Sequence, residues 1–83
     1  MKTAVYSLKK ILFQGEVVAI NAKTTSGEIT VLNHHLPLMT QLEKGVVKIT
    51  DANREDHFIN VGGGFLEVNE ENQAKLLVDE VGA

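Results

Sequence analysis

Polar and apolar positions alternate along most of the chain. They come in short runs, with turn residues recurring about every ten positions, the spacing of an all-β sandwich or barrel. Residues 3–10 place Ala4, Tyr6 and Leu8 on one side and Thr3, Val5 and Ser7 on the other, a period-two strand with one face more apolar. Gln14-Gly15 breaks that run, and the β-branched stretch 16–21 (EVVAIN) predicts a strand buried on much of both faces. Residues 22–27 (AKTTSG) are small and polar and predict a loop. A strand over 28–32 leads into a polar corner, Asn33 to Pro37, where the proline biases Leu36 toward extended geometry. Residues 38–42 (LMTQL) fit either a strand or a helical turn. After a turn at 43–45, Val47 and Ile49 share one face of a strand over 46–51. Residues 52–55 (ANRE) predict a hairpin loop, and 56–61 pairs back with Ile59 and Val61 inward. Gly62-Gly63-Gly64 then precedes a strand over 65–68, and 69–72 (NEEN) is a further hairpin loop.

The last stretch, 73–81, supports two readings. Ala74, Leu77, Val78 and Val81 have helical spacing, with Asn69 or Asn72 as a cap and Gly82 as a terminator. Ala74, Leu76 and Val78 instead alternate as one face of a strand. The pattern alone leaves both open.

Composition narrows the class. A chain of 83 residues is one domain, and with no cysteine it has neither a disulfide framework nor a thiolate metal site. At 43% hydrophobic and 23% charged residues it reads as a folded soluble domain rather than a disordered one. Its apolar runs are far too short for a membrane span, and the start MKTAVYSLKK lacks the apolar core of a signal peptide. The net charge is -3 and the basic residues are scattered, so a nucleic-acid partner is not expected. With three phenylalanines, one tyrosine and no tryptophan, a base-stacking platform is not expected either. Burying one large apolar side chain contributes about 1.5–3 kcal/mol, and a first-pass sum for so small a domain comes out near zero. A partner covering part of the surface is therefore expected.

The candidates for chemistry are few. His34 and His35 are adjacent, so in extended chain they point opposite ways and do not share one metal ion. Gly62-Gly63-Gly64 lacks the lysine and the following helix of a phosphate loop; it reads as a bulge or a close backbone approach. The acids Glu67, Glu70 and Glu71, and the pair Glu55-Asp56, fall in or beside tight turns, where solvated charge is ordinary and no catalytic pair is implied. Ser26 has no nucleophile elbow around it. Glu28, beside a flexible glycine at the start of a strand, reads from its residues alone as solvated surface.

The busiest stretch is Gly27 to Leu38, GEITVLNHHLPL, which holds the only proline and two of the three histidines. It resembles the Gly-Glu-x-Gly-x-Leu-Pro-x-His-x-Pro-Leu signature of the epsilon subunit of F-type ATP synthases, called delta in mitochondria. Gly27, Glu28, Leu32, His35, Pro37 and Leu38 match it, whereas Thr30 and Asn33 stand where the pattern has glycine and proline. Gly63, Gly64, Leu66, Glu67 and Val68 resemble the family's Ser-Gly-Gly-x-Leu-Glu-Val run, with Gly62 in place of the serine. Gly15-Glu16-Val17 looks like its Gly-x-Val, and LEKGVVKI over 42–49 like its Leu-x-Pro-Gly-x-x-x-Ile, with Lys44 for the proline. LLVDEV over 76–81 aligns with the family's last sandwich strand, which tips that stretch to strand.

The resemblance implies a small flattened β-sandwich of two mostly antiparallel sheets filling residues 1–83. It implies a rotor central-stalk subunit that joins the gamma subunit to the c-ring and couples ion translocation to ATP synthesis. Such a subunit has no catalytic residue, cofactor or metal, takes no small-molecule substrate and does not itself insert into the membrane. It lies at the cytoplasmic face of a bacterial plasma membrane, or the equivalent side of an organelle membrane. Glu28 would face the polar loops of the c-ring, His35 would face the gamma subunit, and Asn33, His34, Pro37 and Leu38 would complete the contact surface. Thr30 and Asn33-His34 change the loop nearest the ring. The chain ends at Ala83, where the family's helical hairpin begins, so the coupling role is expected and the hairpin's inhibitory and ATP-binding roles are not. The other expectation is a free-standing β-sandwich interaction module with an unrelated partner, because fold alone fixes no function.

Overall fold

The computed structural model describes residues 1–81. Seven strands follow one another along the chain: β1 (Lys2–Tyr6), β2 (Ile11–Thr24), β3 (Gly27–Leu32), β4 (Leu38–Leu42), β5 (Gly45–Asp51), β6 (Asp56–Val68) and β7 (Gln73–Glu80). Every neighbouring pair is antiparallel except β1 with β7. Residues 38–42 are a strand, and so are 73–80, with Ala74, Leu76 and Val78 buried as strand alternation requires. Gly82, the candidate helix terminator, lies outside the described residues.

Two layers form because β2 and β6 are long enough to serve both. The first half of β2 pairs with β1, and its second half pairs with β3 and β5. The first half of β6 pairs with β5, and its second half with β4 and β7. One layer therefore runs β3–β2–β5–β6 and the other β4–β6–β7–β1–β2. Register shifts mark the crossings, between Val17 and Ala19 in β2 and between Val61 and Gly64 in β6. Such bulges bend a strand sharply enough to carry it from one sheet to the other. The molecule is correspondingly flat, 33 × 27 × 19 Å.

Several expected boundaries move. The strand expected over 3–10 ends at Tyr6, and those expected over 56–61 and 65–68 are one strand, β6, which runs through the glycines. Gln14-Gly15 does not break the chain, because β2 passes straight through it. The expected loop over 22–27 shrinks to a two-residue turn, with Thr24 paired to Gly27 and Lys23 to Glu28. Thr24 closes that turn locally: its hydroxyl donates to the Gly27 carbonyl oxygen at 2.7 Å and accepts from the Ser26 amide at 3.1 Å. A hydroxyl able to satisfy both groups lets the ladder run to the corner.

The core is mostly β-branched. Val5, Ile20, Ile49, Leu66 and Leu76 are completely buried, with Val17, Val31, Val47, Val61 and Val68 nearly so. Register explains the selection in β1. Leu66 lies opposite Leu76, and Leu76 opposite Val5, so these three form one inward row across three strands. Thr3 joins Ala74 and Val68 in the next row. The more apolar side of β1, Ala4 and Tyr6, is thereby turned outward, and Leu8 is 94% exposed beyond the end of the strand. The inward row of the other layer is Val31, Ile20, Ile49 and His57. His57 touches the other layer through Phe13, with ring centroids 5.0 Å apart.

The glycine run is the bulge itself and also a close approach. Gly64 adopts a φ of +143°, and a Cβ placed on it would meet the Leu77 carbonyl oxygen at 2.2 Å and the Val78 Cα at 2.8 Å. Only glycine fits where the second half of β6 presses on β7.

Candidate interaction surface

The corner after β3 is exposed from Asn33 to Pro37, yet its first half is tied down. Asn33 and His34 form its turn, with the His35 amide donating to the Leu32 carbonyl at 3.2 Å. His34 takes the left-handed conformation, φ 62°, and its amide donates to the Asn72 side-chain oxygen at 2.7 Å. The Met1 amino group donates to the Val17 carbonyl at 2.7 Å and also to the Asn33 side-chain oxygen. The His35 ring, on an exposed residue, bonds through Nδ1 to the Leu36 carbonyl at 2.6 Å. Pro37 leads into Leu38, half-buried at the head of β4.

Glu28 sits at the other end of β3 from this corner. Five residue steps along the strand separate it from Asn33, about 16 Å at the usual rise. The six sequence-predicted contact residues thus form two groups: Asn33, His34, His35, Pro37 and Leu38 at one end, Glu28 at the other. Glu28 lies on the outer face of β3, an edge strand that among the described residues pairs with β2 alone. Its carboxylate accepts from the Asn21 amide nitrogen at 3.1 Å, and the same nitrogen donates to the Thr30 hydroxyl at 3.0 Å. Lys23 lies directly opposite in register, but among the described residues Glu28 makes no ion pair.

A second surface escaped the sequence reading. The outer face of the β4–β6–β7–β1–β2 layer carries Phe65, Leu77, Tyr6 and Ile11 in one row of register partners, with Met39 beside them. Ile11, Met39 and Phe65 are each more than half exposed. A shallow groove of about 280 Å³ runs between Tyr6, Met39, Phe65, Glu67, Lys75 and Leu77. An apolar stripe of this kind, rimmed by charge, is a candidate contact surface. The signal was present in β1, whose more apolar side is the outward one.

Among the described residues no three His, Asp or Glu side chains come together in a way that could hold a metal ion. His57 Nε2 lies 2.8 Å from Asp51 Oδ2. That bond, with the Glu55 and Asn53 amides donating to the other oxygen, holds the Asp51 carboxyl below its ordinary value. These contacts close the β5–β6 hairpin.

The comparisons agree with the architecture. The family described as "ATP synthase, Delta/Epsilon chain, beta-sandwich domain" matches residues 1–82. The ATP synthase epsilon chain of Dichelobacter nodosus is 40% identical over 76 residues, covering 92% of this chain and 52% of the relative. That of Psychrobacter arcticus is 37% identical over 68 residues, covering 82% and 49%. This chain therefore spans about half the length of those relatives. Among solved structures, a chain of the Euglena gracilis mitochondrial ATP synthase superposes with a TM-score of 0.87 at 24% identity, over 94% of this chain and 49% of that one. A chain of the Tetrahymena thermophila mitochondrial ATP synthase does so at 0.82 and 19%, over 96% and 63%. With its seven strands in two layers and the family match running from Met1 to Gly82, the chain belongs to the β-sandwich domain family of the ATP synthase delta/epsilon chain.

Proposed function

We propose that this chain is a central-stalk subunit of the rotor of an F-type ATP synthase, joining the gamma subunit to the c-ring and coupling ion translocation to ATP synthesis. The family match over residues 1–82 carries the reading. The solved assemblies that share the fold are described as an F1/c-ring complex and a central stalk/c-ring complex, which supports it. The physics of the domain fits such a role. It offers a flat, rigid body with an exposed polar corner, an outward acid on an edge strand and an apolar stripe. Its work is mechanical: it is gripped between two partners and has no reaction of its own. Glu28 meets the polar loops of the c-ring, and the corner carrying His35 meets the gamma subunit. The subunit is peripheral, held at the cytoplasmic face of the membrane or its organelle equivalent.

Mixing the chain with an F-type gamma subunit and following co-elution tests this directly. A stable complex is expected. A chain that folds but ignores gamma, with or without the c-ring, overturns the proposal and favours an interaction module with another partner.

A further inference from the structure

We infer that Asn21 and Thr30 form a clamp that holds the Glu28 carboxylate in one orientation, and that this orientation sets how the edge strand engages the polar loops of the c-ring. The inference rests on the reading of Glu28 as a ring contact. Asn21, Glu28 and Thr30 lie on the outer face of neighbouring strands, with Asn21 directly opposite Thr30 in register. The Asn21 amide nitrogen reaches both Glu28 Oε2, at 3.1 Å, and Thr30 Oγ1, at 3.0 Å. A carboxylate offers only acceptors, so the amide must turn its NH2 toward the pair. One hydrogen serves each neighbour, and Thr30 fixes the rotation of the amide that in turn fixes Glu28.

The clamp is neutral. Asn21 orients the carboxylate without cancelling its charge, and among the described residues the second oxygen, Oε1, accepts no hydrogen bond. A long, otherwise solvated glutamate side chain is costly to order on binding; one already held loses less freedom when the partner arrives. Glycine at position 30, as in the pattern this stretch resembles, offers no hydroxyl to take the amide's second hydrogen. Asn21 and Thr30 are thus positioning residues for the contact.

The test pairs two measurements on the whole chain. The first is association with a detergent-solubilised rotor of gamma subunit and c-ring. The second is the set of side-chain scalar couplings of Glu28 in the free chain, which report whether one rotamer dominates. Asn21→Leu should weaken rotor association roughly two- to fivefold, the scale of an exposed charged contact, with an unchanged melting temperature. Thr30→Gly should give a smaller loss, and both losses should vanish when Glu28→Gln is already present, since coupled residues are not additive. The Glu28 couplings should be those of a single rotamer in the parent and averaged in Asn21→Leu. Averaged couplings in the parent, or an Asn21→Leu chain that binds as tightly as the parent, overturn the clamp. A Glu28→Gln chain that binds normally removes Glu28 from the contact and overturns the inference with it. A parent chain that fails to join the rotor at all defeats the functional reading instead, and the couplings still decide whether the clamp exists.

Discussion

Gly64 and Leu77 approach so closely that a single added methyl group on Gly64 would sit 2.2 Å from the Leu77 carbonyl oxygen. The obstacle is backbone on an adjacent strand, which has no flexible end to swing aside. Gly64→Ala should therefore cost at least about 2 kcal/mol, from a left-handed φ and from overpacking together. Gly64→Val should prevent folding. Thermal or urea unfolding checks both, and a melting temperature near that of the parent for Gly64→Val would refute the close approach.

Acid should weaken the fold through Asp51. Its folded-state carboxyl is held below the ordinary value of 3.8, chiefly by the His57 side chain and then by the Glu55 amide. The folded chain thus binds fewer protons at Asp51 than the unfolded chain, and acid favours unfolding. The stabilisation is complete above the unfolded value and is lost as the pH falls through the lower folded one. Asp51→Asn keeps the acceptor for the hairpin amides but removes the charge. Its melting temperature should fall less steeply than the parent's below about pH 4, the usual carboxylate range; identical slopes would mean that other acids govern the loss.

Asn72 should steady the corner from a distance. It is left-handed itself, φ 57°, and accepts from the His34 amide at 2.7 Å. Asn72→Gly keeps the backbone conformation and deletes the bond. The expected loss is about 1 kcal/mol of stability, with faster hydrogen exchange at His34. Unchanged exchange there would show that the corner holds its shape alone.

The outward stripe should bind rather than stabilise. Phe65 is 55% exposed, so Phe65→Ser should change the melting temperature little. If the stripe faces the gamma subunit, the same change should weaken co-elution with gamma by tenfold or more, the effect of losing an aromatic anchor of about 2 kcal/mol. Unaltered co-elution would exclude Phe65 from that contact.

Much of the fold was legible because strand alternation leaves few choices once the turns are known. Ile59 and Val61 fall inward as the pattern requires, and Ala74, Leu76 and Val78 choose the strand over the helix. What remained hidden was non-local. Nothing in residues 3–8 says that Val5 and not Tyr6 meets Leu76; that depends on β1 lying between β2 and β7. Gln14-Gly15 looks like a stop, but a strand crossing between layers runs through it. The sequence singles out Glu28 and His35 as contact candidates but not what surrounds them. The Asn21 amide beside Glu28, and the Asn72 anchor beneath His34, depend on partners seven and thirty-eight residues away.

β2 and β6 each belong to both layers, and this has a mechanical consequence. Layers held together by apolar side chains alone could shift against one another. Here slippage would have to stretch or fold two continuous peptide backbones. A twisting load applied to either broad face is therefore carried to the other by covalent bonds as well as by the packed core, as in a laminate both stitched and glued.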